Sequence, residues 1–325
     1  MKESNYDVLI VGAGISGLLA AHELIAAGKR VLVLDKSRGV GGRMATRRID
    51  EARLDHGAQF FTVRSSRFAA LVDAWRQAGV VEEWCRGFEQ LQDGYPRYRG
   101  SHGMTSVPKH LAKGLDIQLQ TRVIEATHMD SGWRLTCEKG NHYTAPTLLL
   151  TAPVPQSLAL LDSGNASLPD WAATRLRALS YYPCIVLMAT LAEPSGIAFP
   201  GVVRPQDGPI AWLADNQVKG ISAQVPALTV HATKAYSEAA FDLNPEEICQ
   251  DLLAAAKTYT SAEIRHYQFH RWRYSEPKVL DPEPCLSIRE MQLFFAGDIF
   301  ASARIEGAVL SGLAVSAAMT DNTLS

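Results

Sequence analysis

Three glycines and one acid are the residues whose types and spacing could do chemistry together. They are Gly12, Gly14 and Gly17, with Asp35 eighteen residues beyond the last of them. Gly12 permits a tight turn out of a strand, and Gly17 allows a helix to pack closely against that strand. Gly14 lets a diphosphate approach the backbone, where a Cβ would collide with it. The amides of Ala13, Ser16 and their neighbours at a helix N-terminus are free to donate, and the helix end carries a partial positive charge. An acid placed as Asp35 is accepts hydrogen bonds from ribose hydroxyls. Together these residues describe a βαβ unit that binds a dinucleotide within the first ~45 residues, without choosing between NAD and FAD.

The elements needed to position them are legible. Tyr6 to Val11 reads as a buried parallel strand, rich in β-branched and apolar residues. The glycine turn follows at once. A helix then runs to about Ala27, with Leu18, Ala21, Leu24 and Ile25 expected on its inner face and Gly28 as its stop. Val31 to Leu34 is the second strand, and it delivers Asp35 and Lys36.

Further motifs choose the dinucleotide. Arg38-Gly39-Val40-Gly41-Gly42-Arg43 follows Asp35 directly. Its paired glycines turn backbone amides toward phosphate, and Arg43 adds a delocalised charge of fork geometry. In that position it resembles the double-glycine motif of the FAD-dependent amine oxidase superfamily. Far downstream, Leu293 to Asp298 reads as a strand ending in Gly-Asp. Arg304-Ile305-Glu306-Gly307-Ala308-Val309 then opens a helix of small residues. In FAD-binding folds such an aspartate meets the ribityl chain, and the helix start, here Gly307 to Val309, faces the flavin ring. Thr147 to Pro153 resembles the strand and turn that leave the FAD domain. Thr121-Arg122-Val123 resembles the short strand whose valine, here Val123, contacts adenine.

Composition narrows the class. The chain has 325 residues, 47% hydrophobic and 20% charged, with a net charge of −2. It holds enough apolar material for a sizeable core and has no long basic run, which argues against a nucleic-acid partner. No apolar run reaches the ~18–20 residues of a membrane span. Met1 to Asn5 is polar and no cleavage signal follows, so the expected location is the cytoplasm. Five scattered cysteines, without CxxC or a His/Cys cluster, agree with a reducing compartment and suggest neither zinc nor a redox disulfide.

Over about Asp7 to Ala318 the chain resembles the renalase-type flavoproteins, in particular their bacterial branch. The residues that carry the resemblance are Asp35 to Arg38, Gly41 to Met44, Asp55 to Thr62, Val230 to Thr233, His270 to Tyr274 and Arg304 to Ala308. The stretch Gly57-Ala58-Gln59-Phe60 is the most telling, because larger amine oxidases share the double glycine and differ there. The resemblance implies an α/β fold with a doubly wound, Rossmann-like FAD domain formed by residues 1–70, 105–155 and 290–325. A smaller α+β substrate domain with an antiparallel sheet would come from 71–104 and 156–289. It also implies non-covalent FAD, and oxidation of dihydro-isomers of NAD(P)H whose hydride sits on the wrong ring carbon. The products would be NAD(P)+ and, after reoxidation by O2, H2O2.

No nucleophile, metal cluster or catalytic acid–base set emerges, and hydride transfer to a flavin needs none. A second strand-GxGxxG-helix unit is absent, so a nicotinamide nucleotide would enter as substrate. On the substrate side, Gln59 and Phe60 would approach the flavin ring. His231 reads equally as a satisfied histidine or a site residue. Trp272 and Tyr274 alternate with Arg271 and Arg273, giving an aromatic face suited to wall a pocket and a cationic face, either solvated or able to hold phosphate. Arg304 either meets an anion or pairs with Glu306. Two other readings stay open: an amine oxidase for a small amine, for which no matching lysine is identified, and an FAD-binding protein without turnover.

Overall fold

A computed structural model describes residues 6–88 and 93–321; the polar stretch Met1 to Asn5 lies outside them. The chain divides into two compact units. The first comprises Met1–Gly42, Pro108–Ser180 and Pro277–Ser325, the second Arg43–Val107 and Tyr181–Glu276.

The first unit is built on a six-stranded sheet in the order Leu286–Ile288, Leu293–Phe295, Thr147–Leu150, Val8–Val11, Val31–Leu34, Ile117–Gln118. All neighbours are parallel except Leu286–Ile288, which runs antiparallel at one edge. Val8–Val11 and Val31–Leu34 are buried throughout, as expected of parallel strands covered on both faces. The glycine turn and Gly297 thus lie at the carboxyl ends of parallel strands, where such sheets bind ligands.

Two helices stack beside this sheet, Ile15–Ala26 and Ile305–Thr320. Their close approach depends on Gly312, where a Cβ would meet the Ser16 carbonyl oxygen at 2.5 Å. Leu18, Ala21 and Leu24 are buried as expected, but Ile25 is 41% exposed. The buried stripe is centred on Gly17, Ala20, Ala21 and Leu24, and the 100° turn per residue carries Ile25 past its edge. A three-stranded antiparallel sheet, Val123–Met129, Gly132–Cys137 and His142–Ala145, completes the unit. The buried Trp133 donates its indole N–H to the Met291 carbonyl over 2.8 Å.

The second unit is a five-stranded sheet in the order Val202–Val203, Ile210–Asp215, Ala227–Ala232, Ser180–Leu191, Ile264–Val279. Side chains alternate along Ser180–Leu191 and feed two cores. Ile185, Leu187 and Leu191 pack with Ile248 and Leu252 of the helix Pro245–Ala256. Val186 and Met188 pack with Ile49, Ala52 and Leu54 of a β-hairpin, and with Trp272. Asn244 caps the Pro245–Ala256 helix as expected, accepting from the Glu246 N–H at 3.0 Å.

The division differs from the expected boundaries at four places, one of them only the three residues 105–107, which join the second unit. Residues 43–70 belong to the second unit, because the Thr46–Ile49/Ala52–Asp55 hairpin buries its apolar side against that unit's sheet. Residues 156–180 belong to the first. Their helix Val154–Ser163 is followed by Gly164, whose close approach to the Ala126 carbonyl leaves no room for a Cβ. Residues 277–289 also join the first unit, where buried Asp281 binds the Arg175 guanidinium in two-point fashion at 2.5 Å.

Candidate functional site

In the first unit the site is made largely of backbone. Gly12 has φ +114°, and a Cβ there would press against the Thr151 hydroxyl at 2.6 Å. A Cβ on Gly17 would overlap the Gly12 carbonyl, so the third glycine sets how closely the helix starts above the strand. Gly14 is the helix N-cap and has no side-chain cap. Nothing lies within 4 Å of where its Cβ would be, so the space above it is open. The paired-glycine turn docks here through the Gly41 N–H, which donates to the Ala13 carbonyl at 2.8 Å. One of the amides expected to face phosphate therefore joins the two loops instead. Asp35 organises the same region, accepting from the Ala13 N–H and the Ser37 N–H, both at 2.7 Å. Each carboxylate oxygen retains a further lone pair.

Other expected ligand residues of this unit sit as follows. Ser16 is buried and its hydroxyl donates to the Ala308 carbonyl at 2.7 Å, so its side chain joins the two helices while its amide remains in the first helical turn. Gly307, Ala308 and Val309 form the buried first turn of the second helix, whose N-cap is Arg304, an exposed residue without a side-chain cap bond. Asp298 is half-buried just past the Leu293–Phe295 strand. Val123 opens its strand and is buried. Lys36 is exposed and contacts Gln156 at 3.4 Å.

In the second unit the site is made of buried side chains. Gly57 lies so close to the Arg43 carbonyl that a Cβ would overlap it, and the Ala58 N–H donates to that carbonyl at 2.8 Å. This fixes the Gly57 to Phe60 segment to the Arg43 turn. Arg43 itself donates to the Ser275 carbonyl at 3.1 Å and lies 5.8 Å from the Tyr181 ring centre. Gln59 is buried, and its amide nitrogen donates to the Asp55 carbonyl at 2.6 Å. Phe60 turns into an aromatic cluster, stacking on Trp212 at 5.7 Å and meeting Phe88 edge-on at 5.2 Å. Trp272 donates its indole N–H to the His56 carbonyl at 2.8 Å, and Tyr274 meets Tyr181 edge-on.

The alternation expected along 271–274 is present, and it decides the fate of the cations. Arg271 donates to the Leu243 carbonyl at 2.6 Å and lies over Phe269. Arg273 pairs with Asp242 at 3.5 Å and lies over Phe241. Both thus lie on the helix-covered side of the sheet.

An ion pair absent from the sequence reading lies at the centre of this unit. Lys219 Nζ is 2.7 Å from Asp55 Oδ2, with both side chains fully buried. The Asp55 carboxylate also accepts from the Thr46 hydroxyl at 2.6 Å and the Met104 N–H at 2.8 Å. Burial pushes the Lys219 ammonium down from the ordinary lysine range, and Asp55 opposes that shift. His231 is lowered to about 4, by burial first and by the Lys219 charge second. His56, packed against His270 and Trp272, is lowered to about 3, mainly by burial. Both histidines are neutral at pH 7. Lys219 carried no local signal, because its partner is 164 residues away.

Family models agree with this architecture. One described as an NAD(P)-binding Rossmann-like domain matches residues 10–75, and one described as flavin containing amine oxidoreductase matches residues 66–320. The chain belongs to the flavin containing amine oxidoreductase family. Among curated relatives, putrescine oxidase of Kocuria rosea is 45% identical over 67 residues, which is 21% of this chain and 14% of that protein. Mouse renalase is 22% identical over 331 residues, covering 95% of this chain and 97% of renalase. Among solved structures, a putative protoporphyrinogen oxidase from Exiguobacterium sp. 255-15 aligns with a TM-score of 0.72 at 14% identity over 98% of this chain and 99% of that one. Wild-type putrescine oxidase bound to putrescine gives 0.72 at 17% identity over 97% and 98%. These likenesses fix the fold, a Rossmann-like FAD-binding domain with a separate sheet-containing domain.

FAD is the cofactor of this oxidoreductase family, and the first unit fits it. The open space above Gly14, the uncapped helix start beside it and the spare lone pairs of Asp35 suit a diphosphate and a ribose. Gly12 to Gly17 and Asp35 would hold the adenosine diphosphate portion. Among the described residues no helix is long and apolar enough to cross a membrane.

Proposed function

We propose that this flavoprotein is a renalase-type oxidase, taking a hydride from dihydro-isomers of NAD(P)H and yielding NAD(P)+ and, with O2, H2O2. The observation that carries this reading is the likeness to mouse renalase along nearly the full length of both chains, set against the 67-residue sequence match to putrescine oxidase. A single Rossmann-like unit supports it too, because a nicotinamide nucleotide then has no dedicated domain of its own and enters as substrate. Bound FAD supplies the two-electron acceptor.

The protein's residues then have limited tasks. The Gly12 to Gly17 loop, Asp35 and the Gly307 to Val309 helix start orient the cofactor. In the second unit, Phe60, Trp272 and Tyr274 offer aromatic surface for a flat substrate ring, and bonds to Arg43 and Asp55 hold the Gly57 to Phe60 segment in place. Rigid placement is the main contribution a protein can make to hydride transfer between two bound rings.

A second reading, oxidation of a small amine, is favoured by Lys219 lying 5.2 Å from the Trp84 ring beside Phe60, Phe88 and Trp212. One experiment separates the readings. Purified holoprotein is mixed anaerobically with isomeric dihydronicotinamide nucleotides, ordinary NADH and several amines while the visible flavin band is followed. Rapid bleaching by the isomers alone is expected. Bleaching by amines would replace this reading with the second, and inertness toward every donor would leave FAD as a structural or sensing ligand.

A further inference from the structure

The buried polar network of the second unit specifies more than a packing arrangement. Gln59 is held in one sense by three partners of known character. Its amide nitrogen faces two backbone carbonyls, Asp55 at 2.6 Å and Gly57 at 3.2 Å, which can only accept. Its amide oxygen faces Lys219 Nζ at 3.5 Å and accepts an N–H from it. Asp55, at 2.7 Å, holds the Lys219 amine in place. The amide therefore cannot be flipped without setting N–H against N–H at one end and oxygen against oxygen at the other.

The consequence falls on His231, whose Nε2 lies 3.5 Å from the same Gln59 nitrogen. One amide hydrogen goes to the Asp55 carbonyl, and the second is shared between the Gly57 carbonyl at 3.2 Å and His231 Nε2. An Nε2–H would oppose that shared hydrogen. On its other side the His231 ring donates to the His56 carbonyl, which also receives the Trp272 indole N–H. A carbonyl has two lone pairs and accommodates both donors. We infer that Gln59, locked by Lys219 and Asp55, is a positioning residue that fixes His231 in its Nδ1–H form, with the Nε2 lone pair directed at Gln59. In that form His231 is a strut between the Gly57 to Phe60 segment and the central strand Ala227–Ala232. Its one basic nitrogen is already engaged. The role given to the segment rests on the proposed function, whereas the tautomer does not.

The test uses holoprotein labelled with 15N-histidine, with the His231 signals assigned by their loss in His231→Gln. Long-range 1H–15N spectra at neutral pH are expected to show a protonated Nδ1 and an unprotonated Nε2. Gln59→Leu removes the amide and should give a mixture of tautomers. Gln59→Glu places an acceptor opposite Nε2, so His231 should gain a second proton. A purely structural role for Gln59 would change melting temperature without moving these signals. A wild-type His231 protonated at Nε2 would overturn the inference, as would an unchanged tautomer in both Gln59 variants. None of these spectra requires turnover. A protein whose flavin no donor reduces would therefore sink the proposed function while leaving this inference to be decided by the spectra.

Discussion

The two units hold their candidate functional residues in opposite ways. In the first, the work falls to backbone: glycines that open space or allow contact, helix starts, and one acid that ties two loops together. In the second, it falls to buried side chains, with Lys219, Asp55, Gln59 and His231 satisfying one another in the interior. A backbone site fails when a Cβ is added. A side-chain network fails when one member loses its complement. The two regions should therefore break by different kinds of substitution, with different readouts.

The sharpest contrast lies within one motif. Gly17→Val should abolish both folding and flavin content, because its Cβ overlaps the Gly12 carbonyl. Gly14→Val has open space and an ordinary φ of −76°, so the protein should fold with a near wild-type circular dichroism spectrum and carry no flavin. A yellow Gly14→Val protein would refute the account of the loop.

In the other unit, Lys219→Met leaves a buried, uncompensated Asp55 carboxylate and should cost about 3–5 kcal/mol in denaturant unfolding. The double variant Lys219→Met/Asp55→Asn should recover part of that loss. A double-variant cost equal to the sum of the Lys219→Met and Asp55→Asn costs would show that the pair is not coupled.

Acidity should weaken the protein through the histidines of this unit. Their folded values, about 4 for His231 and about 3 for His56, lie below the unfolded value near 6.5. Between those limits the unfolded chain binds protons that the folded chain refuses. Stability should therefore fall as pH drops below about 6.5, by about 1.4 kcal/mol per pH unit for each histidine. A flat unfolding free energy between pH 6.5 and pH 4 would contradict their assignment as neutral. The smallest effect is expected from Trp272→Phe, which keeps the ring packing and loses one hydrogen bond to the His56 carbonyl, worth about 0.5–1.5 kcal/mol.

Sequence alone determined the nucleotide end. The Gly12–Gly14–Gly17 spacing, the flanking strands, Asp35, and the distant Gly297-Asp298 followed by a small-residue helix were all readable, because each is a local pattern. Alternation along 271–274 was readable for the same reason, down to which residues share a face. Tertiary structure decided what local pattern cannot carry. It moved residues 43–70 to the other unit, through apolar contacts of the hairpin with Val186, Met188 and Trp272. Arg271 and Arg273 were drawn to the Phe241 to Leu243 turn. It also paired Lys219 with an aspartate 164 residues earlier, at a position where a lysine in isolation reads as a surface residue. Backbone sites are written in consecutive residues because steric demands act on neighbours along the chain. A buried charge network is written across the fold because each member's partner is supplied by a different strand or turn.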